Sequence, residues 1–341
     1  MPVVGLDISD TSMRFIELIE MYPGLTIGRF GEQAIPRGVI ESGEVKKPLD
    51  LRAMFVDLKN KYNLEFVSVC LPEEKVYLFN LQLPMMKYSE IRGAIELEIE
   101  NHVPMKVSEV LFDYGIEKED DTTIQINVSA VSFSLIDGYL EAFSGTGITP
   151  TIFEIEAQSL ARAVVPRGDE NSTMIIDLGK TRTGITIVDT GVVQFTSTIP
   201  IGGALLTEAI AKSLNISYDD AEKIKREKGV LSSDASNEVS MALSSRISAL
   251  RSEIHKNYTY WQTRVDEYGK KRPPIQKVYF CGGDANLPGL IEYLTEVFDV
   301  PVVLADVLCN MNSIDRYIPE INFRNSLSYA TAIGLALRRQ Q

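Results

Sequence analysis

The sequence predicts an α/β protein with two similar lobes and a small α/β subdomain inserted in the first. Three observations point there. The chain has 341 residues, enough for about two to three structural units. Apolar residues make up 45% and charged residues 24%, a composition of folded chains that argues against disorder over most of the length. One segment pattern also occurs twice, half a chain length apart.

The repeat carries most of the weight. Val3-Val4-Gly5-Leu6-Asp7-Ile8-Ser9-Asp10-Thr11-Ser12 is echoed by Met174-Ile175-Ile176-Asp177-Leu178-Gly179-Lys180-Thr181-Arg182-Thr183. Each is an apolar strand, an aspartate and a turn of small and hydroxyl residues. Two further β-rich runs follow each turn, Met13 to Ile19 with Leu25 to Phe30, and Gly184 to Val188 with Val192 to Ile199. Small residues let backbone N–H groups approach an anion, and hydroxyls add donors. Ser9, Thr11 and Ser12 supply these in the first turn, and Gly179, Thr181 and Thr183 in the second. An aspartate at the strand end repels phosphate directly, so Asp7 and Asp177 are expected to act through Mg²⁺ and its waters. Taken singly, either turn also reads as an ordinary β-turn. Gly179-Lys180-Thr181 imitates the end of a P-loop, but the glycine that motif needs five residues earlier is Met174, and a strand rather than a helix follows.

The remaining elements follow in order. A loop runs from Pro36 to Gly43, then a helix from Leu49 to about Tyr62 and strands over Phe66 to Leu71 and Val76 to Leu83. Ser89 is a candidate N-cap for a helix with Ile91, Ile95 and Ile99 on one face, limited by Pro104. An acidic hairpin tip at Glu117 to Thr123, a strand over Ile124 to Phe133 and a helix over Leu135 to Gly145 complete the expected insertion. Strand Ile148 to Ile155 leads into a helix from Glu156 to Val165. Beyond the second hairpin set come helices Leu205 to Leu214 and, capped by Ser217 and stopped by Gly229, Asp219 to Lys228. The stripe Val239, Leu243, Ile247, Leu250, Ile254, Tyr258, Trp261, Val265 predicts one helix of about thirty residues, with Trp261 in the core. Strand Lys277 to Phe280 then runs into Gly282-Gly283-Asp284, whose glycines allow close backbone approach to a flat or anionic ligand. The last helix is expected over Leu327 to Arg338.

Charge and composition narrow the function. Lys and Arg number 34 and Asp and Glu 47, a net charge of −13. Such a chain is repelled by nucleic acid and anionic lipid unless a basic patch exists. The densest basic run, Lys270-Lys271-Arg272 before two prolines, reads as a solvated loop. No apolar stretch approaches the roughly 18 residues of a membrane span. Met1 to Asp7 lacks the pattern of a secretory signal. Cys70, Cys281 and Cys309 are scattered and read as buried thiols of an intracellular protein. His102 and His255 have no metal-ligand spacing.

Together, the paired hairpins and the glycine pair resemble the actin/Hsp70/sugar-kinase superfamily over essentially the whole chain. The resemblance implies an actin-like, ribonuclease H-like two-lobed fold with ATP and Mg²⁺ in the cleft. In its terms Asp7 to Ser12 and Asp177 to Thr183 are the phosphate loops and Cys281 to Leu290 the adenosine motif. Glu156 opens the first connecting helix, where a polar residue faces the attacking water, although a charge favoured at a helix start explains it equally. Ala330 to Leu337, with Gly334, is the second connecting helix. Glu222 and Lys225 fall in an Ala-Glu-x-x-Lys pattern that lies beside ribose and adenine in FtsA and its relatives. The implied division is 1–83 for the start of the first lobe, 84–150 for the insertion and 151–172 for the return through the connecting helix. It continues with 173–325 for the second lobe and 326–341 for the closing helix.

Within the superfamily the chain is most similar to the PilM family of type IV pilus assembly. Leu6-Asp7-Ile8-Ser9, the loop Ile35 to Val45, His102-Val103-Pro104, Asp113-Tyr114, Glu156 to Ala163 and Glu253-Ile254 carry that similarity. It implies a cytoplasmic ATP-binding scaffold of the pilus or a related type II secretion platform. It also implies that the cytoplasmic tail of PilN, bound between first lobe and insertion, recruits it to the inner membrane. Other platform proteins are implied partners, and self-association stays open. Two departures bear on hydrolysis. Lys180 stands where many superfamily hydrolases have an acid or a small residue, and Ser9 replaces a glycine of the first loop. ATP binding with weak or no ATPase activity is therefore expected. Two rival readings are an FtsA-like division scaffold and a small-molecule kinase. The first lacks its amphipathic tail in a sequence ending Arg338-Arg339-Gln340-Gln341, and the second lacks an evident base for a substrate hydroxyl.

Overall fold

A computed structural model describes residues 3–22, 24–230, 238–265, 269, 271–311 and 317–338. Lys270 of the basic run and the chain ends at 1–2 and 339–341 lie outside the described residues. The first half carries β1 (Val3–Ile8), β2 (Ser12–Met21), β3 (Gly24–Ala34), the short pair β4 (Ile40–Glu41) and β5 (Glu44–Val45), α1 (Pro48–Tyr62) and β6 (Phe66–Leu71). A 3-10 turn at Glu73–Lys75 leads to β7 (Val76–Pro84), α2 (Tyr88–His102), β8 (Val110–Glu119), β9 (Thr123–Ser132), α3 (Phe133–Phe143), β10 (Thr149–Ile155) and α4 (Glu156–Val164). The second half carries β11 (Thr173–Leu178), β12 (Thr183–Asp189), β13 (Val192–Ile199), α5 (Gly203–Leu214), α6 (Tyr218–Lys228), α7 (Glu238–Thr263), β14 (Lys277–Cys281), α8 (Leu290–Thr295) and β15 (Val302–Leu304). It closes with α9 (Phe323–Ser326), a 3-10 turn at Leu327–Tyr329 and α10 (Ala330–Ala336).

The duplication read from the sequence is a duplication of topology. One five-stranded sheet runs β10-β6-β1-β2-β3, and the other runs β15-β14-β11-β12-β13. In both, the strand with aspartate as its penultimate residue pairs antiparallel with the next strand on one side and parallel with a later strand on the other. Leu6 and Ile176, immediately before those aspartates, are fully buried, because a central strand covered on both faces must be apolar throughout. The third sheet, β7-β9-β8, packs under the Ile91, Ile95, Ile99 face of α2 in a core of its own. Pairing along its whole length places β7 in this small sheet, while α3 lies against α1 and β10.

Helix ends differ from the sequence expectation where side-chain chemistry had more than one solution. Helix α2 starts at Tyr88 with Lys87 at its cap. Instead of Ser89 capping forward, the Glu90 carboxylate reaches back to accept the Lys87 N–H at 3.3 Å. Ser217 does cap α6, accepting the Asp220 N–H at 3.1 Å. Helix α7 stops at Thr263, and Val265 leaves the stripe to bridge Lys271. Arg272 is not a solvated loop residue: its guanidinium lies 4.7 Å over the Trp261 ring, and the Trp261 N–H donates to the Pro273 carbonyl at 2.9 Å. The closing helix expected over Leu327 to Arg338 is a 3-10 turn followed by α10, with α9 preceding it.

The connecting helices α4 and α10 cross at the centre of the molecule. A Cβ added at Gly334 would sit 1.8 Å from the Ser159 carbonyl oxygen, so the crossing distance itself requires glycine. Arg162 ties the pair by donating to the Gly334 carbonyl at 2.6 Å and to Glu154 at 2.5 Å. Gly334→Ala is expected to cost about 2 kcal/mol through overpacking against backbone that cannot rotate away. Urea unfolding that shows a change under about 0.5 kcal/mol would contradict that packing argument.

Candidate functional site

Between the two large sheets lies a cleft of about 580 Å³. Its two ends are the turns that the sequence singled out, and they close in the same way. The Ser9 N–H donates to the Ser12 carbonyl at 2.9 Å, and the Gly179 N–H donates to the Arg182 carbonyl at 3.0 Å. Ser9 differs from Gly179 in adding a hydroxyl to this turn. That hydroxyl donates to the Ser12 carbonyl at 2.9 Å and accepts the Ser12 N–H at 3.2 Å. One amide of the first loop is thereby engaged inside the turn. In the second loop, Gly179 and Lys180 carbonyls accept from Gly203 and Ala204 at 3.0 and 2.8 Å. The start of α5 therefore holds the loop in place.

Asp7, Ser9, Thr11, Ser12, Glu156, Asp177, Gly179, Lys180, Thr181, Glu222, Gly282, Gly283 and Asp284 all line the cleft. Two predicted residues do not. Thr183 is fully buried and donates to the Ile201 carbonyl at 2.7 Å, pinning the end of the second loop to the following strand. Lys225 is 1% exposed. Its ammonium lies 2.8 Å from Asp284, 3.0 Å from Glu222 and 3.1 Å from the Gly203 carbonyl. It is a strut beneath the glycine motif. Burial works against the Glu222 charge, but bonds from Thr207, Arg226 and Lys225 hold its carboxyl down at about 2. Gly282 has φ of 91°, and a Cβ there would fall 2.3 Å from an Asp177 carboxylate oxygen.

The floor of the cleft is acidic. Burial raises Asp7, and burial together with the nearby Asp7 charge lifts Asp177 to about 6. Burial, then the charges of Asp177 and Asp7, push Glu156 well above the usual carboxylate range. Glu73, which the sequence reading did not nominate, is lifted to about 8 by burial and the Asp177 charge. Its Oε1 is buried without a hydrogen-bond partner. Arg182, also not nominated, pairs with Glu74 across the cleft, joining the second phosphate-type loop to the turn after β6. The only sequence signal for these residues is position, Pro72-Glu73-Glu74 at the end of a buried strand and Arg182 at the end of a turn.

This charge pattern sets a pH dependence. Glu73 stays protonated in the folded chain up to about 8 but ionises near 4.5 when unfolded. Between those values the folded state binds more protons, so its stability falls as pH rises. Glu73→Gln is expected to match the parent near pH 4.5 and to exceed its stability at pH 8 by about 2 kcal/mol. Thermal unfolding across that range checks it, and parallel curves for the two proteins would refute it.

Such a floor suits a divalent cation. Among the described residues no three His, Cys, Asp or Glu side chains are grouped to hold a metal directly. Mg²⁺ sites characteristically use one or two carboxylates, with waters and phosphates completing the shell. Asp7 and Asp177 fit that role. His102 instead stacks on Phe79 with ring centroids 4.4 Å apart.

Comparison with known proteins agrees with this geometry. The family profile of the type IV pilus assembly protein PilM matches residues 5–340. A solved PilM-PilN type IV pilus biogenesis complex superposes with a TM-score of 0.83 and 22% identity, covering 99% of this chain and 98% of that one. The ethanolamine utilization protein EutJ from Carboxydothermus hydrogenoformans follows with a TM-score of 0.58, 16% identity and coverage of 99% and 89%. MreB5 of Spiroplasma citri, solved with ADP, gives 0.52, 13% and coverage of 91% and 93%. Cell division protein FtsA of Neisseria meningitidis serogroup B is 28% identical over 167 residues, 44% of this chain and 40% of that protein. The chain thus aligns with less than half the length of that relative. No described helix is long and apolar enough to cross a membrane. The fold is actin-like, and the chain belongs to the family of the type IV pilus assembly protein PilM.

Proposed function

We propose that the cleft binds ATP with Mg²⁺ between the lobes, and that occupancy biases their closure in a scaffold of the pilus assembly platform. The observation that carries this reading is the pair of equivalent turns, each ending an aspartate-bearing strand and facing one shared cleft. Ser9, Thr11 and Ser12 approach the phosphates from one side, and Gly179, Lys180 and Thr181 from the other. Gly282, Gly283, Asp284 and Glu222 form the adenosine side, with Lys225 and Thr183 fixing those loops from behind. When bound, Mg²⁺ would offset phosphate charge, held through its waters by Asp7 and Asp177. The acidic floor repels a bare polyphosphate, so binding is expected to depend on the cation. Glu156 lines the cleft and could orient water, but burial and the charges of Asp177 and Asp7 disfavour the ionised form that a base requires. This supports ATP binding with slow hydrolysis at most. Support for a nucleotide ligand comes also from the MreB5 neighbour solved with ADP. Calorimetry of the nucleotide-free protein with Mg–ATP is the test, and absence of heat of binding would sink the nucleotide reading.

The likeness to a PilM–PilN complex over nearly the full length of both chains supports a partner of the same kind. That partner is the short cytoplasmic tail of a PilN-type membrane protein, which would bring this cytoplasmic chain to the inner membrane. A pull-down with the N-terminal peptide of the neighbouring single-span protein tests it. Failure of every such peptide to bind would leave the scaffold without its anchor.

A further inference from the structure

The three cysteines were scattered in the sequence, but the fold gathers two of them at equivalent places. Cys70 is the penultimate residue of β6, the parallel neighbour of β1, directly after the paired residues Leu6 and Val69. Cys281 ends β14, the parallel neighbour of β11, and is the register partner of Asp177. Each thiol thus stands beside the aspartate one residue before the end of the adjacent strand. Cys70 donates to Asp7 Oδ1 at 3.0 Å, and Cys281 stands beside Asp177 as its register partner on the neighbouring parallel strand. Both are buried, at 2% and 0% exposure. Cys309 is different: its thiol faces the Ala163 and Val164 carbonyls at 3.5 and 3.8 Å.

The chemistry suits the place. A thiol is a weak donor on a small apolar body, so it packs in a strand end without requiring a further partner. One S–H bond to one carboxylate oxygen fixes the carboxylate's rotation and leaves its second oxygen for the cleft. An ordinary thiol, with a pKa of about 8.5, already keeps its proton near neutral pH and can donate. An outer group that orients a metal-facing ligand is a recurring device of metal sites. The same placement of thiol beside aspartate on both halves of a duplicated fold argues for a shared role.

We propose that Cys70 and Cys281 are positioning residues: each thiol holds the neighbouring strand-end aspartate in the rotation that presents one oxygen to a hydrated cation between the lobes. The cation arm rests on the nucleotide reading above, whereas the thiol–carboxylate bond is testable without it.

The experiment has two readouts. Raman spectra of the nucleotide-free full chain at pH 8 report the S–H stretching bands, assigned with Cys70→Ala, Cys281→Ala and Cys309→Ala. Asp7→Ala should move only the Cys70 band and Asp177→Ala only the Cys281 band, each to the higher frequency of a thiol with a weaker acceptor. Bands that do not respond to their aspartate overturn the proposal. The second readout is ATP affinity by calorimetry against Mg²⁺ concentration. Cys70→Ala and Cys281→Ala should each raise the half-saturating Mg²⁺ concentration about 10-fold. Affinity in EDTA should not change. Cys→Ser should restore most of the loss because the hydroxyl also donates, and Cys309→Ala should behave as parent. Equal Mg²⁺ dependence in all variants overturns the positioning role and leaves packing alone. A parent chain that binds no Mg–ATP would refute the nucleotide reading, and the Raman result then decides the thiol proposal by itself.

Discussion

Asp177→Asn is expected to weaken Mg²⁺-dependent ATP binding by about 100-fold, the scale of losing one charged ligand of a hydrated cation. The same change is expected to make the empty protein more stable. Asp177 faces Cys281 in register near the end of β11, and burial with the Asp7 charge lifts its carboxyl to about 6 from an ordinary 3.8. Between those two values the folded chain holds a proton that the unfolded chain has lost, so stability falls as pH rises through the window. Above pH 6 the whole penalty is present, and the amide removes it. A gain of about 1 kcal/mol at pH 7.5 is expected, allowing for the water that reaches the cleft. Opposite signs for binding and stability separate a functional charge from a structural one. Calorimetry and thermal unfolding of the same preparation read both, and a variant that is less stable and still binds Mg–ATP would reverse the assignment.

Where sequence and structure agree, local chemistry had one good solution. An apolar run ending in aspartate and followed by small hydroxyl residues becomes a strand and a tight turn, and it does so twice. The Ile91, Ile95, Ile99 stripe leaves one face for burial, and Ser217 three residues before Asp220 is a helix cap with a single use. Where they diverge, distant partners decided. Ser89 was as good a local cap as any, but Glu90 supplied a reverse contact that leaves the helix starting two residues earlier. Thr183 has the residue type of a phosphate donor, yet its hydroxyl is taken by the Ile201 carbonyl. Arg272 carries the charge of a solvent-facing loop and stacks on Trp261. Glu73 and Arg182 were invisible because nothing near them in sequence marks them. Their significance comes from the approach of two lobes more than a hundred residues apart. The pairing of Cys70 with Asp7 and Cys281 with Asp177 depends on parallel strand register, which neither composition nor spacing specifies.

Lys225→Met should give the largest loss of stability of any single change in the second lobe. The ammonium is 1% exposed and shared between Asp284, Glu222 and the Gly203 carbonyl. Replacing it with an apolar chain of similar length keeps the volume and removes the cation that pairs with Asp284 at 2.8 Å. Buried charges left without a partner cost about 3 to 5 kcal/mol. The lower end applies here because the side chains of Asp284 and Glu222 keep 16% and 23% of their exposure. Arg226 also still reaches Glu222 at 2.8 Å. Asp284 is therefore the orphan that matters. The double variant Lys225→Met with Asp284→Asn should recover about half the loss, because the amide needs no counter-charge. Asp284 also abuts the turn at Gly203, where an added Cβ would lie 1.9 Å from its carboxylate. A displaced Asp284 would thus disturb the support of the Gly179–Lys180 loop as well as the glycine motif. Urea unfolding of the two single variants and the double variant forms the required cycle. A single-variant loss below about 1 kcal/mol, or no recovery in the double variant, would show that Lys225 fills space without holding the two sides of the cleft wall together.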